Sequence, residues 1–181
     1  MGCMDGKTGL VVGIANDRSY AWFIAESIIR EGGTCLFTHL PGDKMERRAR
    51  KAIESLGVED PWLAPMDAST DESLDEAFAA IAQKTDTLDF LVHSIAFADK
   101  DWLKEGKFTA TPREVFTQAM DISAWTYMAM ANRALPMMSD GGSMLAMSYY
   151  GAEKAVPGYN VMGVAKAALE ATTRYLAMEL G

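Results

Sequence analysis

Thr8-Gly9-Leu10-Val11-Val12-Gly13-Ile14-Ala15-Asn16-Asp17-Arg18-Ser19-Tyr20 opens on a short apolar run and passes through small and polar residues into Ala21-Trp22-Phe23-Ile24-Ala25-Glu26-Ser27-Ile28-Ile29. Thr8–Gly13 reads as a strand of the fully buried kind, without polar alternation. The stretch after Tyr20 spaces its apolar residues at helical intervals, and Gly32-Gly33 stops it. A buried strand that turns directly into a helix is the opening of a βαβ unit.

The alternation continues outward from there. Thr34–Thr38 is a second strand, followed by a charged helix from about Asp43 to Leu56. Trp62–Met66 is a weaker third strand, because Pro65 interrupts it. Ser69-Thr70-Asp71-Glu72 has the capping-box pattern and predicts a helix to about Gln83. Leu88–His93 is a fourth strand. Thr111-Pro112-Arg113-Glu114 combines a cap with a proline at the first helical position, and predicts one long helix through Met130 to about Leu135. Gly142–Met147 is a fifth strand, and Tyr159–Leu180 an Ala-rich helix. Five strands separated by helices imply an α/β fold: a doubly wound parallel sheet of the Rossmann type, three-layer αβα, with right-handed crossovers. Residues 1–181 are expected to form a single nucleotide-binding domain, with no internal repeat, low-complexity stretch or linker. Sheets of this type usually carry six or seven strands, so the last one or two are expected to be missing, as in a piece of a longer protein.

At 181 residues, 49% of them hydrophobic, the chain can bury one substantial core. No apolar run approaches the roughly 18–20 residues that cross a bilayer, and Met1–Lys7 lacks the apolar stretch of a secretory signal. Gly6 stands where a myristoylation signal needs Ser or Thr. A cytoplasmic protein without membrane insertion is expected. The net charge of −8 argues against a nucleic-acid surface. It is compatible with an acidic protein partner, which a local basic patch can steer against the overall charge. Cys3, Cys35, His39 and His93 are too few for a disulfide framework or a zinc site. Cys35 reads as a small buried strand residue, and the thirteen methionines as core filling.

Ligands of doubly wound sheets bind beyond the carboxyl ends of the strands. After the first strand, Gly13 and Ala15 permit close backbone approach, Ser19 can donate a hydroxyl hydrogen bond, and the helix start points amides at a pyrophosphate. The turn is not G-x-G-x-x-G, and an ordinary βα turn explains it equally well. After the second strand, Thr38-His39-Leu40-Pro41 offers no acidic residue for the adenosine ribose. Lys44, Arg47 and Arg48 either reach a 2′-phosphate or form a solvated helix face, which leaves NADH and NADPH both open. Asp67-Ala68 follows the third strand, where a carboxylate either accepts from an adenine amino group or stabilises a helix start. After the fourth strand, the small residues of His93-Ser94-Ile95-Ala96 let the backbone pass close to a ribose; His93 itself reads as structural.

The fifth strand leads into Ser148-Tyr149-Tyr150-Gly151-Ala152 and then Tyr159-Asn160-Val161-Met162-Gly163-Val164-Ala165-Lys166. Seven residues make almost two helical turns, placing Tyr159 and Lys166 on one face about 10 Å apart along the axis. A nearby ammonium favours the phenolate and makes the hydroxyl a stronger donor toward developing negative charge. A packed tyrosine and a snorkelling lysine would share the same spacing.

With Gly13-Ile14-Ala15-Asn16, His93-Ser94-Ile95-Ala96-Phe97-Ala98, Asp121-Ile122-Ser123 and Ser148–Lys154, these residues resemble the enoyl-acyl-carrier-protein reductases, a divergent branch of the short-chain dehydrogenase/reductase superfamily. The resemblance runs from Gly6 to Gly181. Other members of the superfamily place a tyrosine four residues before the lysine, where this chain has Met162; the Tyr159-to-Lys166 spacing marks the enoyl reductases. The resemblance implies hydride transfer from NADH to the β-carbon of a trans-2-enoyl thioester on acyl carrier protein, in bacterial fatty-acid elongation. It implies Tyr159 and Tyr149 as the active-site tyrosines, Lys166 on the nicotinamide ribose, and the Ala98 backbone on substrate. Gly13, Ser19, Tyr20, Asp67, Ala68 and Ile95 match its cofactor positions, beside Ala15 and Ser94. Leu40 stands where many relatives have glutamine, so its contact is apolar or through backbone. A homotetramer is implied too, with contacts on the helices beginning near Thr111 and Tyr159. Two alternatives remain on the residues: a carbonyl or alcohol dehydrogenase, against which Met162 argues, and, for a piece of a longer protein, a catalytically silent nucleotide-binding module, against which Tyr159 and Lys166 argue for the intact protein.

Overall fold

The structure, a computed structural model, describes residues 2–181. Its contacts divide the chain into two compact units: the first holds the chain up to Ser94 together with Ala131–Leu145, the second Ile95–Met130 together with Ala146–Gly181.

The first unit is built on a five-stranded sheet, β1 (Thr8–Val12), β2 (Thr34–His39), β3 (Leu63–Pro65), β4 (Phe90–His93) and β5 (Ser143–Ala146), in the order β3-β2-β1-β4-β5. The β1–β2, β1–β4 and β2–β3 pairs are parallel. Parallel strands need crossovers, and α1 (Tyr20–Arg30), α2 (Asp43–Glu54) and α3 (Asp71–Lys84) supply them. On one face Val11, Phe37, Phe90 and Val92 pack with Ile14, with Ala21 and Ala25 of α1, and with Ala49 and Ile53 of α2. Side chains alternate along a strand, so Leu10, Val12, Leu36 and Leu91 point the other way, and these are also buried. Burial on both faces is what a parallel sheet requires, and it makes this a Rossmann fold. Polar ties hold the periphery. The Asp89 carboxylate accepts from Lys7 Nζ and from the Thr8 amide, both at 2.8 Å, which joins the starts of β1 and β4. Arg133 pairs with Asp71 and Asp75 of α3 at 2.8 and 2.7 Å.

Two expectations shift by one residue. Thr70, not Ser69, caps α3; its Oγ1 accepts from the Ser73 amide, and because Ser73 occupies the third helical position no glutamate closes the box. Pro65 ends β3 at the sheet edge, where a missing N–H costs no ladder bond.

The second unit contains α4 (Arg113–Met120), a π-helical turn over Asp121–Trp125, the start of α5 (Thr126–Ala134), and α6 (Asn160–Leu180). The single long helix expected from Pro112 is therefore interrupted, and Pro112 is the cap of α4 rather than its first residue. The π turn has a visible cause. Ser123 is fully buried, and its Oγ accepts from the Phe97 amide at 3.0 Å and donates to the Phe97 carbonyl at 3.1 Å. Widening the turn presents that hydroxyl to a loop 26 residues away. Pro136, without an N–H, lies in the 3-10 turn Leu135–Met137 that ends the helical stretch.

The close packing of β1 on β4 allows a test. A Cβ on Gly9 would lie 2.3 Å from the Phe90 ring and 2.4 Å from the Phe90 carbonyl oxygen, so backbone must move. Gly9→Ala is expected to destabilise the fold by about 1–3 kcal/mol, as overpacking does. Urea unfolding checks it; an unchanged midpoint would show that the strand spacing is not constrained here.

Candidate functional site

In the first unit the loops leaving the carboxyl ends of β1 to β4 carry the residues expected to meet a dinucleotide. Gly13 adopts φ +105°, a region that side chains disfavour, and buried Ile14 anchors the turn to the core. Ser19 Oγ accepts from the Ala15 amide at 3.1 Å and the Asn16 amide at 3.2 Å. This corrects the simple view of the turn: two amides expected to face a pyrophosphate are directed at Ser19. A hydroxyl that accepts twice still has its own hydrogen to donate, and Ser19 makes no side-chain bond to the first turn of α1. Tyr20 begins that helix and is 73% exposed.

Leu40 follows β2 and is exposed, with the His39 Nδ1 at 2.8 Å from its carbonyl oxygen; it offers an apolar surface. Asp67 follows β3. Its Oδ1 accepts from the Ser69 hydroxyl at 2.7 Å and the Ser69 amide at 2.9 Å, which holds its carboxyl below the usual range and keeps it charged. Ala68 beside it is buried. The Ser94 amide donates to the Val12 carbonyl, extending the β1–β4 ladder to the loop. His93 is fully buried in β4, and Lys44, Arg47 and Arg48 are exposed on α2.

In the second unit Ile95 and Ala98 are half-buried on the loop that Ser123 clamps. Tyr149 and Tyr159 are brought together, ring centroids 4.8 Å apart and edge to face at 64°. The Tyr159 ring occupies a slot that only glycines leave open. A Cβ on Gly151 would lie 2.4 Å from that ring, and one on Gly163 would lie 2.8 Å from the Gly151 carbonyl oxygen. Lys166, 6% exposed, donates from Nζ to the Met147 carbonyl at 2.5 Å. Ser148 Oγ donates to Glu170 at 2.5 Å, so strand exit and helix are joined again one turn further along.

The electrostatics reverse one expectation. Burial, with Tyr149 adding to it, pushes the Tyr159 phenol up from its ordinary value rather than down. Burial lowers Lys166. The ammonium is turned to the Met147 carbonyl, and desolvation governs both groups. The Met147 carbonyl, Glu170 and the two glycines were not among the expected site residues. Gly151 and Gly163 flank Tyr159 in sequence, and Glu170 lies one helical turn beyond Lys166, so each carried a signal; a backbone carbonyl carries none.

The family model described as enoyl-(acyl carrier protein) reductase matches residues 13–181. The chain belongs to the enoyl-acyl-carrier-protein reductase family. The enoyl-acyl-carrier-protein reductase (NADH) 1 of Rhizobium meliloti (strain 1021) is 46% identical over 181 residues, covering 99% of this chain and 65% of that relative. The crystal structure of the Anaplasma phagocytophilum reductase in complex with NAD superposes with a TM-score of 0.93 at 45% identity, covering 100% of this chain and 68% of that one. That of the Bacillus cereus reductase with NADP+ and an indole naphthyridinone gives 0.95 at 42%, covering 100% and 70%. The chain thus spans about two thirds of the length of these family members.

Within this reductase-family site, Lys166 makes a pH prediction. Its pKa is lowered on folding, so between the folded value and the ordinary 10.5 the unfolded chain binds the extra proton. Stability contributed at this position therefore rises with pH through that window. Lys166→Met is expected to raise the melting temperature at neutral pH and to flatten the alkaline rise, read by thermal melts from pH 7 to 10. A lower melting temperature with an unchanged pH slope would mean that the ammonium is not desolvated.

Proposed function

We propose that this chain carries an NADH-dependent reduction of the carbon–carbon double bond of trans-2-enoyl thioesters borne on acyl carrier protein, a step of bacterial type II fatty acid biosynthesis. The observation that carries the reading is the Tyr149–Tyr159 ring pair at the N-cap of α6, with buried Lys166 on that helix and Met162 where other superfamily members have their tyrosine. Two features support a dinucleotide: Gly13 gives the first unit a positive-φ strand exit, and Lys166 gives the second an ammonium withdrawn from water.

Gly13, Ala15, Ser19, Tyr20, Leu40, Asp67, Ala68, Ser94 and Ile95 are the residues that would hold the dinucleotide, with Lys166 on the nicotinamide ribose. When bound, the dinucleotide would supply the hydride for the β-carbon, and a proton reaching the α-carbon would complete the reduction. Tyr159 donates a hydrogen bond to the thioester oxygen as negative charge gathers there. Its raised pKa keeps the hydroxyl protonated, so the donor is present throughout the working pH range. Lys166 adds positive potential, and the Met147 carbonyl takes one of its three hydrogens. Tyr149, half-exposed, lines the acyl site, and the Ala98 backbone contacts substrate.

NADH is favoured by the name of the Rhizobium meliloti relative, and exposed Lys44, Arg47 and Arg48 are read as a solvated face. Among the described residues no helix is long and apolar enough to cross a membrane; a cytoplasmic setting is part of the proposal. So is a homotetramer, supported by exposed Phe116, Trp125 and Met128 along the α4–α5 stretch and by exposed Tyr175 and Met178 on α6.

Crotonyl and ketoacyl thioesters assayed with NADH test this reading. Enoyl turnover is expected, and Tyr159→Phe is expected to lower kcat by about 10²–10³-fold, as loss of one such donor does, with NADH binding retained. Turnover of the ketone alone, or an undiminished Tyr159→Phe variant, would falsify the assignment.

A further inference from the structure

We propose that Asn160 is a positioning residue, a latch that fixes the Trp102–Lys104 turn against the start of α6 and so sets the loop that follows Ala98 relative to Tyr159. Among the described non-glycine residues only Asp60 and Asn160 have positive φ, and Asn160 stands at +43°. Asparagine tolerates this region better than most side chains, and such conformations persist where surrounding contacts over-determine them. The contacts are present. Asn160 Nδ2 donates to the Trp102 carbonyl and to the Lys104 carbonyl, both at 2.7 Å, which uses both amide hydrogens.

Among the described residues, the turn's other hydrogen bonds and ion pairs are short-range. The Asp101 amide donates to Asp99 at 2.9 Å, Lys104 pairs with Asp101 at 2.9 Å, and Lys107 lies 5.5 Å over the Trp102 ring. These fold the segment on itself without directing it to the helix. Gly158, on the other side of Tyr159, adopts φ +77° and lies so close to the turn that a Cβ there would meet the Leu103 carbonyl oxygen at 3.5 Å. The residues immediately before and after Tyr159 therefore both face the same turn, whose chain continues from Ala98. The left-handed backbone at Asn160 aims Tyr159, and its amide aims the turn; one residue couples the two.

The kinetic arm of the test rests on the enoyl reductase reading, and the exchange arm does not. Asn160→Gly keeps the backbone conformation accessible and removes the amide, whereas Asn160→Ala removes the amide and disfavours the backbone conformation as well. For Asn160→Gly, KM for crotonyl thioester is expected to rise about tenfold while kcat falls less than about threefold, the signature of lost ground-state positioning. Asn160→Ala is expected to lose kcat as well. Hydrogen exchange of residues 98–107 is expected to quicken in Asn160→Gly, with the melting temperature nearly kept. Unchanged exchange in that segment overturns the latch, and so does a fall in kcat of Asn160→Gly with KM unmoved. If the wild-type chain turns over no enoyl thioester, the functional reading fails by itself, and exchange alone decides the latch.

Discussion

The constraint on which the rest depends is the position of β1, hydrogen-bonded to β2 on one side and β4 on the other while buried on both faces. A strand so enclosed admits only apolar or side-chain-free residues, and Gly9 meets Phe90 with no room for a methyl group. Parallel pairing then brings the carboxyl ends of β1, β2 and β4 to one edge of the sheet. Gly13, Leu40 and Ser94 are distant in sequence, yet each begins a loop at that edge for this one reason. Local chemistry refines what topology gathers: Ser19 closes its own turn, and Asp67 is fixed by Ser69.

In the second unit, burial acts in opposite directions on the two proton-bearing groups and favours the neutral form of each. Tyr159 stays a phenol, and Lys166 is held by a carbonyl dipole rather than by a carboxylate. On the proposed reading, negative charge arriving on a substrate oxygen would meet the Tyr159 hydroxyl and the positive potential of Lys166, which is how preorganised polar groups gain effect in a desolvated site.

Much of this was legible in the residues. Strands β1, β2, β4 and β5 are short apolar runs bounded by turn residues, and their read limits fall within two residues of the observed ones. The Tyr159–Lys166 spacing drew attention to α6, but the helix begins one residue later than expected: Asn160 at φ +43° leaves Tyr159 as its N-cap, so the two do not share an unbroken helical face. What escaped was non-local. The π turn lies in a stretch without a helix breaker between Pro112 and Pro136, and its cause is a hydrogen-bonded loop at Phe97. The raised phenol escaped because it follows from desolvation, which spacing does not encode. The two directed amides at Ser19 escaped because a serine at a helix start can either cap that helix or fold back on the preceding turn.

The π turn also bears on how this segment can change length. Each residue advances an α-helix by about 100°. Asp121–Trp125 holds a wider turn of backbone, and Tyr127 and Met130 beyond it are buried. Losing one residue within the turn would let ordinary α-helix take its place with those two side chains still facing inward, at the cost of the Ser123 hydroxyl's hold on Phe97. Losing one beyond it would swing them around the helix.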